Sequence, residues 1–340
     1  MSDNDSATAL RPIAVGGTAQ AALGVFAFSF SFPATAWALE GFGPWTVTGL
    51  RGILAGLLAG ACLLATGARV PPRSAWPGLA AVAVGCAVGF PLLSTLALRL
   101  SSTAHSAVVI GLLPLATAAV GALRAGARPP RAFWAAALAG AAVVLAFTVQ
   151  QSGGAGLTTA DLYLFGALLV CAFGYAEGGR LARRMPGWQV IGWGVVAALP
   201  VTALTGALAL TVEPVQWNWH GVTGLAYLAA VSQFGGFVVW YRGMAAIGVP
   251  RASQLQLAQP LLTLCWAVLL LAETLPATAV PTALAVVACI AATQRAGRKR
   301  AGRKWTGRKR AWWKGKAEER AEEKVAERVR AADGQAVRTQ

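Results

Sequence analysis

The sequence predicts an all-α integral membrane protein with ten transmembrane helices arranged as two inverted five-helix repeats. Three observations carry this reading. The 340 residues are 56% apolar and only 12% charged, about half the charged share of an ordinary soluble chain. Ten segments are apolar over about the length a helix needs to cross a bilayer. A weak internal repeat relates the two halves at a constant offset of 146. A soluble globule would need far more surface charge, and a disordered chain would hold far less apolar content.

The first segment, 13–39, follows Asp3, Asp5 and Arg11. It is too long for the apolar part of a signal peptide, so an uncleaved helix is expected. Gly41, Gly43 and Pro44 end it, and 45–66 is the second. Pro71–Pro72 precedes the third, 76–98. The fourth, 104–123, closes before Pro129–Pro130. The fifth, 132–148, is short and stops at Ser152–Gly153–Gly154. The second set runs 162–182, 189–211, 221–241, 252–272 and 277–293, broken by Pro186–Gly187 and by Pro276. Gly and Pro are the residues expected at such breaks. The domains are therefore a cytoplasmic N-terminus 1–12, a first repeat 13–148, a second repeat 161–293 and a basic tail 294–340. Pro33, Pro91, Pro114, Pro200 and Pro260 are expected to kink their helices. Gly85, Gly89, Gly235 and Gly236 are expected to let helices approach closely.

Charge sets the orientation. With the N-terminus in the cytoplasm, eleven body cations fall inside, from Arg11 to Arg251, and only Arg99 outside. The acids Glu40, Asp161, Glu213 and Glu273 all fall at the outer side. The five cysteines form no CxxC and lie in apolar runs, so they read as small buried hydrophobes.

The repeat is clearest between residues 97–123 and 243–269, where Pro114 meets Pro260, Leu115 meets Leu261 and Thr117 meets Thr263. Five helices per half is an odd number, so the second half must enter the membrane inverted. Inverted repeats are an architecture of alternating-access transporters, with a site near the midplane. The FSFSFPATAWAL stretch of the first helix, Arg51 in the second, the Pro114–Leu115–x–Thr117 pattern and its copy QPLLTLCWAVLLLAETL, ending near Glu273, resemble the drug/metabolite transporter superfamily, EamA type. The resemblance covers residues 13–293. It implies a multi-pass permease of the bacterial inner (plasma) membrane with both termini cytoplasmic. It also implies a small-molecule partner, most often an amino acid, related metabolite or toxic compound that is exported. One departure is visible: the first-half equivalent of Glu273 is Ala127.

Ionisable groups inside a bilayer are expensive and usually face a cavity or a partner. Arg51, about two turns into the second helix, is either an anion contact or a side chain snorkelling to headgroups. Glu177 either binds a proton or substrate amine or forms an i,i+3 pair with Arg180. Gln233, Trp240 and Tyr241 in the eighth helix are further substrate-binding candidates, beside Ser232. Gln256 and Gln259 share a helix face just before Pro260, which frees a carbonyl one turn earlier. Gln254 lies on the same helix. Their other reading is helix–helix hydrogen bonding. Phe30, Phe32 and Trp37 could stack on a substrate or pack. His105 and His220 have no acid at ligand spacing and read as interfacial.

The tail repeats AGRKR, AGRKW and TGRKR, with nine cations and no acid from Arg295 to Arg310. It is expected to bind anionic lipid headgroups, and no nucleic-acid partner is expected. A homodimer stays possible. No HExxH, G-x-S-x-G or phosphate loop occurs, so no enzyme, cofactor or metal is expected. A membrane sensor or scaffold that works through its tail is the other class of function.

Overall fold

The computed structural model describes residues 4–124, 129–154, 156–247, 255–292 and 295. Arg128, Arg251, Gln254 and the basic tail beyond Arg295 lie outside these, as does Ala127. The described residues within Met1–Thr293 form one compact unit whose regular elements are all helical. An apolar helix lies in each of the ten expected segments. Eight are long and apolar enough to cross a membrane: α1 Gly16–Gly41, α2 Pro44–Ala65, α3 Arg73–Leu98, α4 Thr103–Arg124, α5 Arg131–Gln151, α6 Thr159–Leu181, α7 Gly187–Val212 and α8 Trp219–Met244. Two shorter apolar helices follow, α9 Gln256–Leu271 and α10 Ala279–Ala292. Leucines such as Leu57, Leu64, Leu138, Leu204 and Leu269 stand exposed on the helix surfaces. An apolar exterior of this size suits lipid, and the chain is a multi-pass membrane protein.

The helices pack in antiparallel pairs. Along α2 and α7, Gly49 meets Gly206, Gly52 meets Thr202 and Gly56 meets Leu199. A Cβ on Gly49 would lie 2.4 Å from the Gly206 Cα, so small residues set this crossing. The α1–α8 pair runs the same way, with Gly17 against Ala246 and Gly24 against Trp240. In the α3–α6 pair, Gly78 meets Leu181, and a Cβ on Gly85 would lie 2.4 Å from the Val170 carbonyl. One apolar core joins α4, α5, α6, α9 and α10, and a second joins α2, α3, α6 and α7.

Four of the five expected proline kinks coincide with irregular backbone. Helix α1 breaks at Phe30, ahead of Pro33. Helix α4 breaks after Ile110, ahead of Pro114, and α9 opens with a 3-10 turn, Gln256–Ala258, before Pro260. Helix α3 widens into a π-helix over Ala83–Gly89, just before Pro91. Pro200 instead lies inside an unbroken α7. A second π-helix, Leu228–Gly235, occupies α8, which contains no proline. Gly89 and Gly235, 146 positions apart, each end a π segment. A Cβ on either would press on a carbonyl of its own helix, Val84 at 2.6 Å or Ala230 at 2.7 Å. These two glycines serve the π backbone, while Gly85 serves the approach of two helices. The cysteines divide as well: Cys86 and Cys171 are buried, but Cys265 is exposed.

Candidate functional site

The site is built from the middle of α1, α2, α3 and α8. Arg51 on α2 is 5% exposed. Its Nη2 donates to Gln233 Oε1 at 2.7 Å and, more weakly, to Ser232 Oγ at 3.4 Å, both on α8. Gln233 Nε2 donates to the Ala87 carbonyl at 2.9 Å, inside the α3 π segment. That bond fixes the amide so that its oxygen faces the arginine. The Ala87 carbonyl lies four residues before Pro91, within the π stretch. Gln233 and Ala87 are 146 residues apart. They are repeat-equivalent positions that meet each other. Ser232 Oγ also shares a hydrogen bond with Ser31 Oγ, 2.8 Å, on α1.

The cation is only partly satisfied. Arg51 Nε is buried with no hydrogen-bond partner. Removing an ion from water costs several kcal/mol, and each hydrogen bond to a charged group returns about 1.5–3 kcal/mol. Among the described residues no carboxylate lies within ion-pair distance of Arg51. The side chain does not snorkel: it is bonded to α8 inside the bundle.

A carbonyl freed by proline lies nearby. Pro33 cannot donate to the Ser29 carbonyl, and Thr263 Oγ1 on α9 donates to it at 2.8 Å. Trp266 Nε1 donates to Ser29 Oγ at 2.9 Å, and the Tyr227 hydroxyl donates to the Ala27 carbonyl at 2.6 Å. The break in α1 is thus held from α8 and α9.

Of the residues expected at a substrate site, Arg51 and Gln233 are bonded to one another. Ser232 joins them through its weaker bond from Arg51, and Trp240, Tyr241, Gln256 and Gln259 are not hydrogen-bonded to that pair among the described residues. Trp240 is buried against Gly24 of α1, and Tyr241 packs on Gly187 and stacks on Phe237 at 6.2 Å. Gln256 and Gln259 are half-buried at the start of α9. Phe30 meets Trp37, Tyr227 and Trp266 edge-on, and Phe32 joins the α4–α9 core.

Glu177 lies apart from Arg51 and is 3% exposed. The expected pair with Arg180 is present, with Arg180 Nη2 2.8 Å from Oε2. Arg124, from α4, grips Oε1 with Nε at 2.8 Å and with a second short contact from Nη2. Both arginines are about half exposed. Arg124 is 53 residues from Glu177 in sequence, so no local spacing predicts it.

The opposite end is held by the four acids that the charge pattern groups on one side. Glu213, just after α7, accepts from the Trp45 and Thr46 N–H groups at the start of α2. Gly43 makes room, since a Cβ there would lie 2.2 Å from the Glu213 carboxyl carbon. Glu273, just after α9, accepts from the Thr103 and Ala104 N–H groups of α4 at 2.8 and 2.9 Å. Carboxylates at helix N-termini satisfy free N–H groups and the positive dipole end. In each case the acid follows a second-half helix and caps its first-half equivalent. The histidines do have partners: His105 Nε2 is 2.7 Å from Asp161 Oδ1, and His220 Nδ1 is 2.9 Å from Glu40 Oε2. Both pairs are distant in sequence, which hid them from a reading of local spacing.

Comparison with known proteins agrees with this architecture. Residues 16–149 and 158–293 each match the EamA-like transporter family. An uncharacterized transporter, YdeK, of Bacillus subtilis (strain 168) is 42% identical over 276 residues, spanning 80% of this chain and 95% of YdeK. A solved crystal structure, 23% identical, shares the fold with a TM-score of 0.58 over 82% of this chain and 98% of its own. The protein belongs to the EamA-like transporter family and is a permease rather than an enzyme.

Proposed function

We propose that the chain is a secondary transporter with ten membrane spans in two inverted five-helix repeats. In this reading it works by alternating access in the inner (plasma) membrane, with both termini cytoplasmic. The expected activity is export of amino acids, related metabolites or toxic compounds. The carrying observation is the buried polar crossing at mid-bundle, where Gln233 meets its repeat equivalent Ala87 and holds Arg51. A polar crossing between repeats suits a midplane substrate site. The antiparallel packing of α2 on α7, which are repeat equivalents, supports inversion.

Arg51, Ser232 and Gln233 form the centre of the proposed substrate site. Trp240, Tyr241, Gln256 and Gln259 line the approach to it. Glu177 acts as a latch between α4 and α6, since both its oxygens are already engaged by arginine. The acid caps at the opposite end form the other closure. The symmetric π segments would supply the flexible points, because π-turns relax the helical ladder and frequently mark functional sites.

The test is efflux from cells that express the full chain, across amino acids, amines and toxic analogues. Specific efflux absent from an empty-vector control, and reduced in Gln233→Leu, is expected. Protein confirmed in the membrane with no flux for any class would overturn the reading. Deleting residues 295–340 separates the scaffold alternative, because a permease keeps most of its flux without the tail.

A further inference from the structure

We infer that the molecule carried at the Arg51 site bears an anionic group, a carboxylate, that docks on the Arg51 guanidinium. This rests on the transport reading above and narrows its substrate class. Residues 1–294 contain seven acids. Five of them, Glu40, Asp161, Glu177, Glu213 and Glu273, lie in the described side chains, and each is committed elsewhere. No protein counter-ion is left at Arg51 among the described residues. Its hydrogen-bond partners are neutral, Ser232 and Gln233; Ser31 is bonded to Ser232, and the Gln233 amide nitrogen is taken by the Ala87 carbonyl. Arg51 Nε stays buried and unpartnered.

A guanidinium presents its N–H groups as a fixed fork that matches a carboxylate. A neutral ligand would leave the charge uncompensated. A cationic ligand would add repulsion. A zwitterionic or purely anionic solute supplies what the site lacks, and Ser31 and Ser232 offer hydroxyls beside it.

The test uses the full chain in lipid nanodiscs and ligand-induced thermal shifts. The probes are matched acids and amides: benzoate and benzamide, hexanoate and hexanamide, L-phenylalanine and L-phenylalaninamide. At least one acid is expected to raise the transition temperature while its amide does not. Arg51→Gln should abolish that shift. Arg51→Lys keeps the charge without the fork, serves as the fold-preserving variant, and should weaken apparent affinity roughly tenfold. Equal shifts for acid and amide, a shift untouched by both variants, or no shift for any acid overturns the inference. Flux in proteoliposomes separates the two claims. An acid-specific shift with no flux for any probe leaves the anion site and rejects transport. Equal flux of acid and amide keeps transport and rejects the anion site.

Discussion

Thr117 and Thr263 are repeat equivalents on α4 and α9, and the two halves use them differently. Thr263 donates to the Ser29 carbonyl of α1, which Pro33 leaves free. Helix α6, the counterpart of α1, contains no proline, and Thr117 Oγ1 is buried without a hydrogen-bond partner. The α1–α9 contact is therefore tied in mid-helix. The α4–α6 contact is tied at the two ends of the helices, by His105–Asp161 and by Arg124–Glu177. The same repeat thus yields two kinds of seam, and the placement of one proline decides which. Among the described residues the polar ties between α4 and α6 lie at the helix ends, with apolar packing between them.

The largest effect is expected at the α4–α6 seam. Glu177→Ala removes the shared anion and leaves two arginines facing each other. It should cost about 2–3 kcal/mol, less than a fully buried pair because both arginines are half exposed. A denaturation midpoint in detergent reads this, and an unchanged midpoint would show the latch to be idle. Thr263→Val tests the other seam. It orphans the Ser29 carbonyl and should cost about 1–2 kcal/mol by the same measurement.

A smaller effect concerns the cap on α4. Ala272 carries φ 51, a left-handed conformation at the end of α9 that directs Glu273 toward α4. Ala272→Gly should relieve strain and stabilise by about 0.5–1 kcal/mol. Destabilisation would mean that the cap depends on the Ala272 methyl. The smallest effect is expected for Thr117→Val, within about 0.5 kcal/mol or slightly stabilising, since an unpaired buried hydroxyl is lost. A cost equal to that of Thr263→Val would erase the difference between the seams.

Much of the architecture is legible in the sequence because lipid imposes long apolar runs, and Gly and Pro break them. The one-sided grouping of Glu40, Asp161, Glu213 and Glu273 is legible too, and all four meet partners at one end of the bundle. What those acids hold across the bundle is hidden, because those partners lie far along the chain; only the Thr158–Asp161 capping box is local. Arg51 and Gln233 stand out as polar residues in apolar helices. Their bond to each other does not, since it joins different halves. The π segments are marked only faintly: Gly89 and Gly235 end them and Pro91 adjoins one, but glycines are common in apolar helices and α8 has no proline.

In the proposed cycle the Arg51 crossing is reached alternately from the two sides of the membrane. The most direct test places a single cysteine at Ser232 in a chain whose five native cysteines are replaced. Labelling by a membrane-impermeant thiol reagent is then measured in right-side-out and in inverted vesicles. Labelling from both sides is expected, with each rate shifting when Glu177→Gln weakens the latch. Labelling from one side only, whatever the state of Glu177, would contradict alternating access and leave a one-sided pocket.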